Sequence, residues 1–240
     1  MIFNALTGWL SRLQRILLPP HCLLCGNAGT ADLDLCAGCI ADLPCNVTAC
    51  VCCARPLAIK TAAPCATCQS SQTRPFSRSF IPFCYKPPLN FLLIQLKFNR
   101  QLSHAHLLGN LFKTALAEHH RTLPDIIVPV PLHPLRLQER GFNQAVELAR
   151  TTAHHFQIPL LINGLQRTRH TTPQTRLDAK RRRTNLKDAF SATGSFSGTR
   201  IALMDDIVTT GSTTSECARA LQAAGATDIE IWAIAHTASV

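Results

Sequence analysis

Hydrophobic residues recur at helical spacing at the start of this chain. These positions are Ile2, Phe3, Leu6, Trp9, Leu10, Leu13, Ile16 and Leu17. Pro19 and Pro20 end the pattern, so residues 1–20 are predicted to form an amphipathic helix. Such a helix packs on its own protein, or it binds a membrane surface or a partner.

The rest of the chain alternates apolar runs of strand length with helical patterns. Helical spacing covers residues 89–100 and 102–120, and a further helix is predicted over residues 212–224, before Gly225. Strands are predicted at residues 126–130, 158–162, 201–204 and 229–234. This order predicts an α/β fold, a mostly parallel sheet with helices on both faces. A ligand of such a sheet lies at the carboxyl ends of the strands.

Two segments have less regular patterns. Residues 70–88 are rich in Pro and Ser and are predicted to be a linker or an edge-strand region. The stretch LRLQERGFNQAVELARTTAHHF is predicted to run from a basic loop into a helix, with Gly141 and Asn143 in the turn between them.

The apolar run that starts at Ile201 leads into the most informative polar residues of the chain. It ends in two adjacent carboxylates, Asp205 and Asp206, which are followed by a short loop. The loop consists of Thr209, Thr210, Gly211, Ser212 and Thr213. Backbone N–H groups and hydroxyls at a helix N-terminus bind phosphate, and the carboxylates accept bonds from sugar hydroxyls or hold a metal ion. The stretch therefore predicts a site for a phosphorylated ribose.

All but one of the 12 cysteines precede residue 85, and eight of them form Cys-x2-Cys pairs. The pairs are Cys22 with Cys25, Cys36 with Cys39, Cys50 with Cys53, and Cys65 with Cys68. One pair directs two thiolates at an ion, and two pairs complete a tetrahedral site. We therefore predict two structural zinc sites. A disulfide scaffold is the less favoured alternative because nothing indicates export, and a redox role lacks a strand-to-helix context.

Some details of these sites stay open in the sequence. Cys45, Cys52 and Cys84 fall outside the pairs. Cys52 lies between two proposed ligands and is an alternative to Cys53. The sequence also leaves open which two Cys-x2-Cys pairs share one zinc ion. Because the cysteine-rich segments are short, zinc is expected to supply most of their folding free energy, on the order of 10 kcal/mol or more per site.

The net charge of +10 is concentrated in one segment. Residues 165–187 hold eight basic residues and a single acid, Asp178, and carry a charge of +7. The basic residues are Arg167, Arg169, Arg176, Lys180, Arg181, Arg182, Arg183 and Lys187. A surface of this density attracts phosphate-rich partners by counterion release. A solvated loop is the alternative interpretation.

The chain is predicted to be globular, because 46% of its residues are hydrophobic and 16% are charged. No apolar run reaches the roughly 18 residues of a membrane-spanning helix. Arg12 and Arg15 interrupt the first apolar segment, which also lacks the basic start of a secretion signal. We expect a cytoplasmic protein, or one that is peripheral at the inner face of the membrane.

The motif MDDIVTTGST resembles the phosphoribosyl-pyrophosphate-binding motif of type I phosphoribosyltransferases. The chain as a whole resembles the ComF family of competence-associated proteins, which includes GntX-like proteins and joins a double zinc ribbon to a phosphoribosyltransferase-like domain. The resemblance covers residues 20–237. It rests on the cysteine pairs, on LKF with Lys97, on VPVPLHPLRLQERGFNQA, on RTRHTTPQTRLDAKRRRTNLKDAF and on ALMDDIVTTGSTTSECARALQAAGA.

The resemblance implies a role for each matching position. Asp205 and Asp206 would contact the ribose hydroxyls or the magnesium ion that accompanies the pyrophosphate, and residues 209–213 would surround the 5-phosphate. The residues implied near the pyrophosphate or in a flap over the site are Lys97, Arg136, Arg140, Gly141, Asn143, Arg167, Gln174, Arg182 and Asn185. The candidate DNA contacts are Lys180, Arg181, Arg182 and Arg183.

The chain departs from the purine-type pattern at one informative position. Thr209 stands where purine-type members carry an aspartate that is suited to proton transfer at the base. No acid occurs between Asp206 and Glu216, which disfavours a purine acceptor. The stretch LDAKRRRTN also holds more arginine than the pattern requires, which favours a polyanionic partner.

The resemblance implies a protein of DNA uptake or DNA utilisation that binds phosphoribosyl pyrophosphate, magnesium and single-stranded DNA. The alternatives are an active transferase with a non-purine acceptor, and a scaffold that docks an uptake helicase or the membrane uptake machinery. The predicted segments are an amphipathic helix (1–20), a double zinc ribbon (21–70), a linker and helical segment (71–124), and a phosphoribosyltransferase-like domain (125–240).

Overall fold

The structure is a computed structural model that describes residues 20–30, 33–70, 74–119, 122–168 and 188–237. The chain divides between Leu43 and Pro44 into two compact units. In the described part of the first unit, helix α1 (Ala37–Ala41) is capped by Cys36, whose sulfur accepts a hydrogen bond from the Cys39 N–H at 3.5 Å. The predicted N-terminal helix lies outside the described residues except for Pro20, and the predicted segment boundaries stay predictions.

The second unit contains a parallel sheet and the helices that cover it. Within the described residues its helices are α2 (Ala66–Ser70), α3 (Leu89–Asn99), α4 (Leu102–Ala117), α5 (Pro134–Arg140), α6 (Gln144–Phe156) and α7 (Ser212–Ala223). Its strands are β1 (Arg78–Phe80), β2 (Phe83–Cys84), β3 (Ile126–Pro129), β4 (Leu165–Arg167), β5 (Phe190–Ala192), β6 (Arg200–Val208) and β7 (Asp228–His236). The sheet has the order β1-β7-β6-β3, and β2 also pairs with β7.

All pairings within this five-stranded sheet are parallel, whereas β4 and β5 form a separate antiparallel pair. Neighbouring side chains of a strand point to opposite sides of the sheet. The central strands are apolar on both faces because each face is covered. On one face, Ile231 packs in a core with Cys217 and Leu221 of α7. On the other, the Trp232 ring lies 5.6 Å from the ring of Phe112 in α4. The predicted α/β fold with a mostly parallel sheet and helices is confirmed.

Three local predictions need correction. Strand β6 extends to Val208, so both aspartates lie within the strand and not after it. Residues 158–162 contribute an isolated parallel bridge, Ile127 with Leu160, and no strand. The predicted basic loop is helix α5, because Pro134 favours the first helical position and His133 accepts a hydrogen bond from the Leu135 N–H.

Other local predictions are confirmed. Gly141 ends α5 at φ +84°, and Asn143 caps α6 by accepting a hydrogen bond from the Ala145 N–H at 3.0 Å. Residues 70–88 are predicted to be a linker or an edge-strand region, and the edge-strand interpretation is confirmed for β1 and β2. None of the helices in the described parts of the chain has the length and apolar character that crossing a bilayer requires.

The end of α7 provides a test of the fold. Gly225 follows this helix at φ +98°, and an added Cβ would lie 3.1 Å from the Ser197 backbone. We expect Gly225→Ala to lower the melting temperature by about 2–8 °C, since a left-handed backbone costs a non-glycine residue roughly 1–2 kcal/mol. Differential scanning fluorimetry measures this shift.

Gly194→Ala is the matched control, because an added Cβ there meets nothing within 4 Å. Equal melting temperatures for the two variants would contradict the steric argument.

Candidate functional site

The carboxyl end of β6 places the acidic pair at the edge of the sheet. Asp206 is 8% exposed, and its Oδ2 lies 2.8 Å from Nζ of Lys97. Lys97 reaches this position because the buried residues Leu92, Leu93 and Leu96 hold α3 in the core. An ion pair therefore joins the end of α3 to the end of β6.

The backbone around the aspartates orients both carboxylates. Oδ1 of Asp205 accepts a hydrogen bond from the Asp206 N–H at 2.9 Å, and Oδ1 of Asp206 accepts one from the Ile207 N–H at 2.7 Å. Burial, and then the charge of Asp206, raise the pKa of Asp205 to about 7, while Lys97 opposes this shift. Since Lys97 already contacts Asp206, Asp205 is the carboxylate of the pair that is more open to a metal ion or a sugar hydroxyl.

The loop after β6 turns at Gly211 and leads into α7. Gly211 adopts φ +74° and occupies the N-cap position, where it has no side chain to cap the helix. The Thr210 and Ser212 hydroxyls lie 2.9 Å apart, and the Thr214 hydroxyl donates to the Gly211 carbonyl at 3.1 Å. The first N–H groups of a helix have no acceptor within it, and such groups bind phosphate.

A cavity of about 420 Å³, here called the β6 cavity, lies between the acidic pair, the loop and several cations. Ten of the predicted site residues line it: Lys97, Arg136, Arg140, Arg167, Asp205, Asp206, Thr209, Gly211, Ser212 and Thr213. Burial lowers the pKa of Arg140, and the charge of Arg136 adds to this effect while Asp206 opposes it. Crowded and partly dehydrated cations of this kind favour an anionic ligand.

The remaining predicted residues lie elsewhere or outside the described chain. Thr210 lines a neighbouring cavity, and Gly141 ends α5 without lining the β6 cavity. Asn143 lines an adjoining cavity of about 300 Å³, but its side chain also donates to the Val130 carbonyl at 3.0 Å. The residues outside the described ranges are Gln174, Lys180, Arg181, Arg182, Arg183 and Asn185.

The lining residues that the sequence predictions missed include Tyr85, Phe98, His133 and Thr237. Tyr85 follows β2, and Thr237 follows β7, at the edge where parallel strands of the sheet end. Tyr85 is the single tyrosine of the chain, and its N–H donates to the His236 carbonyl at 2.9 Å. The available signal was its place at a strand end, but β2 is too short to be recognised by periodicity.

The cysteine pairs form two groups, each with its ligand atoms within 4.8 Å of one another. The first group is Cys22, Cys25, Cys36 and Cys39, and the second is Cys50, Cys53, Cys65 and Cys68. Sulfurs bound to zinc at roughly 2.3 Å in a tetrahedron lie about 3.8 Å apart. The Cys25–Cys36 and Cys53–Cys65 distances are 3.7 and 3.8 Å, so the donor sets fit zinc and the sequential pairing holds.

The immediate surroundings of one sulfur in each group, Cys22 in the first and Cys50 in the second, favour the thiolate. Burial raises the pKa of Cys50, but backbone N–H groups of Cys53, Cys65 and Cys52 outweigh it and lower the value to about 6. In one of these contacts, the Cys65 N–H donates to the Cys50 sulfur at 3.2 Å. Zinc binds the thiolate form, so the folded backbone prepares one ligand in each group.

The cysteines outside the pairs have other surroundings. Cys45, Cys52 and Cys84 belong to neither group of ligands, so Cys53 is the ligand and Cys52 is not. The Cys84 thiol donates to the Asn46 side chain at 3.8 Å. All 12 cysteines are free of disulfide bonds, in agreement with two closed zinc sites.

Zinc analysis tests the assignment of Cys53. We expect the purified protein to contain two equivalents of zinc. Cys53→Ser should lower this content to about one equivalent, because three thiolates leave an open site. Inductively coupled plasma mass spectrometry measures the metal. Cys52→Ser removes the neighbouring thiol and should retain both ions. Loss of zinc from the Cys52 variant alone would reverse the assignment.

Comparison with known proteins relates both parts of the chain to other sequences. A family model described as a double zinc ribbon domain matches residues 13–69. The chain is 36% identical over 224 residues to Competence protein F of Haemophilus influenzae, covering 90% of this chain and 96% of that protein. It is 34% identical over 220 residues to DNA utilization protein YhgH of Escherichia coli K12, covering 90% of each chain.

Solved structures also match part of the chain. Glutamine phosphoribosylpyrophosphate amidotransferase from B. subtilis aligns at 23% identity and a TM-score of 0.38, covering 54% of this chain and 26% of that chain. Purine phosphoribosyltransferase from Pyrococcus horikoshii aligns at 20% identity and a TM-score of 0.32, covering 55% and 75% of the two chains.

Proposed function

Since this chain belongs to the ComF family, we propose that it acts in DNA uptake during natural transformation or in the use of DNA that has been taken up. We further propose that it binds phosphoribosyl pyrophosphate with magnesium in the β6 cavity. The observation that carries this second proposal is that the acidic pair, the N-terminus of α7 and several cations line one cavity.

Each part of the ligand has a chemically matched region of the cavity. The 5-phosphate binds at the loop of residues 209–213, where the N–H groups of α7 begin. Asp205 accepts hydrogen bonds from the ribose hydroxyls. Arg136 and Arg140 contact the pyrophosphate, and magnesium supplies further neutralisation of its charge. Magnesium in phosphate sites uses one or two carboxylates, and Asp205 fits this need because Lys97 is paired with Asp206.

Phosphoribosyl transfer is the second candidate function. The observation that favours it is the presence of Tyr85 and His133, two side chains able to exchange protons, in the β6 cavity. Departure of pyrophosphate leaves positive charge on the ribose, and positioning and electrostatic stabilisation are the protein's contribution. The absence of an acid between Asp206 and Glu216 keeps a purine acceptor disfavoured.

Single-stranded DNA is the proposed macromolecular partner. The support is the charge of +7 between residues 165 and 187 and the family membership. Of that basic segment, Arg167 lies in the described chain and lines the β6 cavity, so the segment begins at the site. Docking to an uptake helicase or to membrane uptake machinery is a further proposal that rests on the family alone.

Isothermal titration calorimetry tests the ligand. We expect the wild-type protein to bind phosphoribosyl pyrophosphate with magnesium, and Asp205→Asn combined with Asp206→Asn to lose this binding, because the ribose and metal contacts lose their charge. Asp125→Asn is the control, since Asp125 pairs with Arg200 at the opposite end of β6. Absence of binding by the wild type would exclude the nucleotide-sugar proposal, and equal loss in both variants would exclude the assigned contacts.

The salt dependence of DNA binding tests the basic segment. We expect Arg182→Gln to reduce the slope of log affinity against log salt by about 0.7, the effect of one lost contact with a single-strand phosphate. Fluorescence anisotropy with a labelled oligonucleotide measures it. Arg150→Gln removes one arginine that pairs with Glu147 in α6 and should leave the slope unchanged. Salt-insensitive binding by the wild type would contradict the electrostatic model.

A further inference from the structure

Helix α3 is apolar on both sides, although one side is exposed. Leu89, Leu92, Leu93 and Leu96 are buried. On the opposite side, Phe91 is 45%, Ile94 40% and Phe98 68% exposed. These three residues, here called the α3 stripe, have the spacing that aligns side chains along one helix face. A helix that is hydrophobic all round belongs in an interior, so the stripe calls for a binding partner.

The charges beside the stripe are mostly positive. Lys97 belongs to α3, which contains no acidic residue, and Arg100 follows its end. The Arg100 guanidinium donates to the Glu139 carbonyl, which brings α5 beside the end of the stripe. Helix α5 carries two basic residues, Arg136 and Arg140, and one acidic residue, Glu139. An apolar surface with cations at its border suits a partner that has both flat apolar groups and negative charge.

The stripe is continuous with the β6 cavity. Phe98, its most exposed residue, lines the cavity together with Lys97, Arg136 and Arg140. From Phe91 to Phe98 the helix rises about 10 Å, which matches three bases stacked at about 3.4 Å each. A strand that lies on the stripe would therefore have its phosphates beside the cations that line the cavity.

We propose that the α3 stripe is the stacking surface for single-stranded nucleic acid, with Phe91 and Phe98 against the bases and Arg100 near the phosphates. This inference rests on the proposed function and gives it a location. Bases stack on exposed aromatic side chains in proteins that bind single strands without sequence preference. The surface differs from residues 165–187, which supply charge but hold no aromatic residue.

A second copy of this chain is the competing occupant. Together with Leu102, which is 52% exposed, the stripe offers on the order of 400 Å² of apolar side-chain surface. A stable dimer buries roughly 800 Å² per partner. The area and the neighbouring cations both favour a nucleic acid over a symmetric dimer, in which those cations would face one another.

The test uses two fluorescent probes of equal length, an oligothymidylate and an abasic strand with the same phosphates. We expect Phe91→Ala to weaken oligothymidylate binding about tenfold. Binding of the abasic strand and the salt slope should stay unchanged, because the phosphate contacts remain. Phe91→Trp should restore the affinity. Leu161→Ala is the matched control, since Leu161 is 41% exposed and lies outside the stripe.

The outcomes separate this inference from the proposed function. If the wild type binds neither probe, single-stranded DNA binding and the stripe are both excluded, and calorimetry with phosphoribosyl pyrophosphate is unaffected. If the wild type binds but the Phe91 and Leu161 variants weaken equally, the stripe is excluded and DNA binding stands. If sedimentation shows a wild-type dimer that Phe91→Ala dissociates, the stripe is a self-association surface and the inference fails.

Discussion

The pairing of β6 with β7 determines where the acidic pair and the start of the phosphate loop lie. The two strands run parallel from Arg200 opposite Asp228 to Val208 opposite His236. Because both are covered on two faces, a shift by one residue would move buried apolar groups to the wrong face. This register places Asp205 opposite Ala233 and holds the start of the phosphate loop next to Thr237, whose N–H donates to the Val208 carbonyl at 3.0 Å.

The ion pair of Lys97 with Asp206 adds electrostatic order to that framework. Two adjacent carboxylates at a buried strand end repel each other, and burial penalises their charge. Lys97 compensates Asp206 at 2.8 Å, and its side chain is itself 24% exposed. A partly buried pair of this kind contributes little net stability, because desolvation offsets its attraction. Its effect is therefore positional, since it holds the Asp206 carboxylate in place. Burial and the charge of Asp206, and not Lys97, raise the pKa of Asp205 to about 7.

The features that the sequence predicted well are local. One such feature is the spacing within the cysteine pairs, and the other is the order of strand, acidic pair, loop and helix. Each pattern involves only a few neighbouring residues, and the structure contains both features. Periodicity could not predict that Lys97 pairs with Asp206, since 109 positions along the chain separate them and the contact arises from the packing of α3. Tyr85 was missed for the same reason, because β2 gains its place through pairing with β7. Helix α5 was the avoidable error: Pro134 at its start and Gly141 at its end were both visible in the sequence.

The second zinc site and the phosphate loop line the same cavity. Cys53 and Cys68 line a cavity of about 460 Å³ together with Gly211 and Ser212. Arg74 lines it as well, and its pKa is raised first by a hydrogen bond to Cys52. Zinc supplies folding free energy to a segment that is too short to bury a core of its own. A closed four-sulfur site leaves no position for a substrate, so its role is to hold one wall of a cavity whose other wall belongs to the loop.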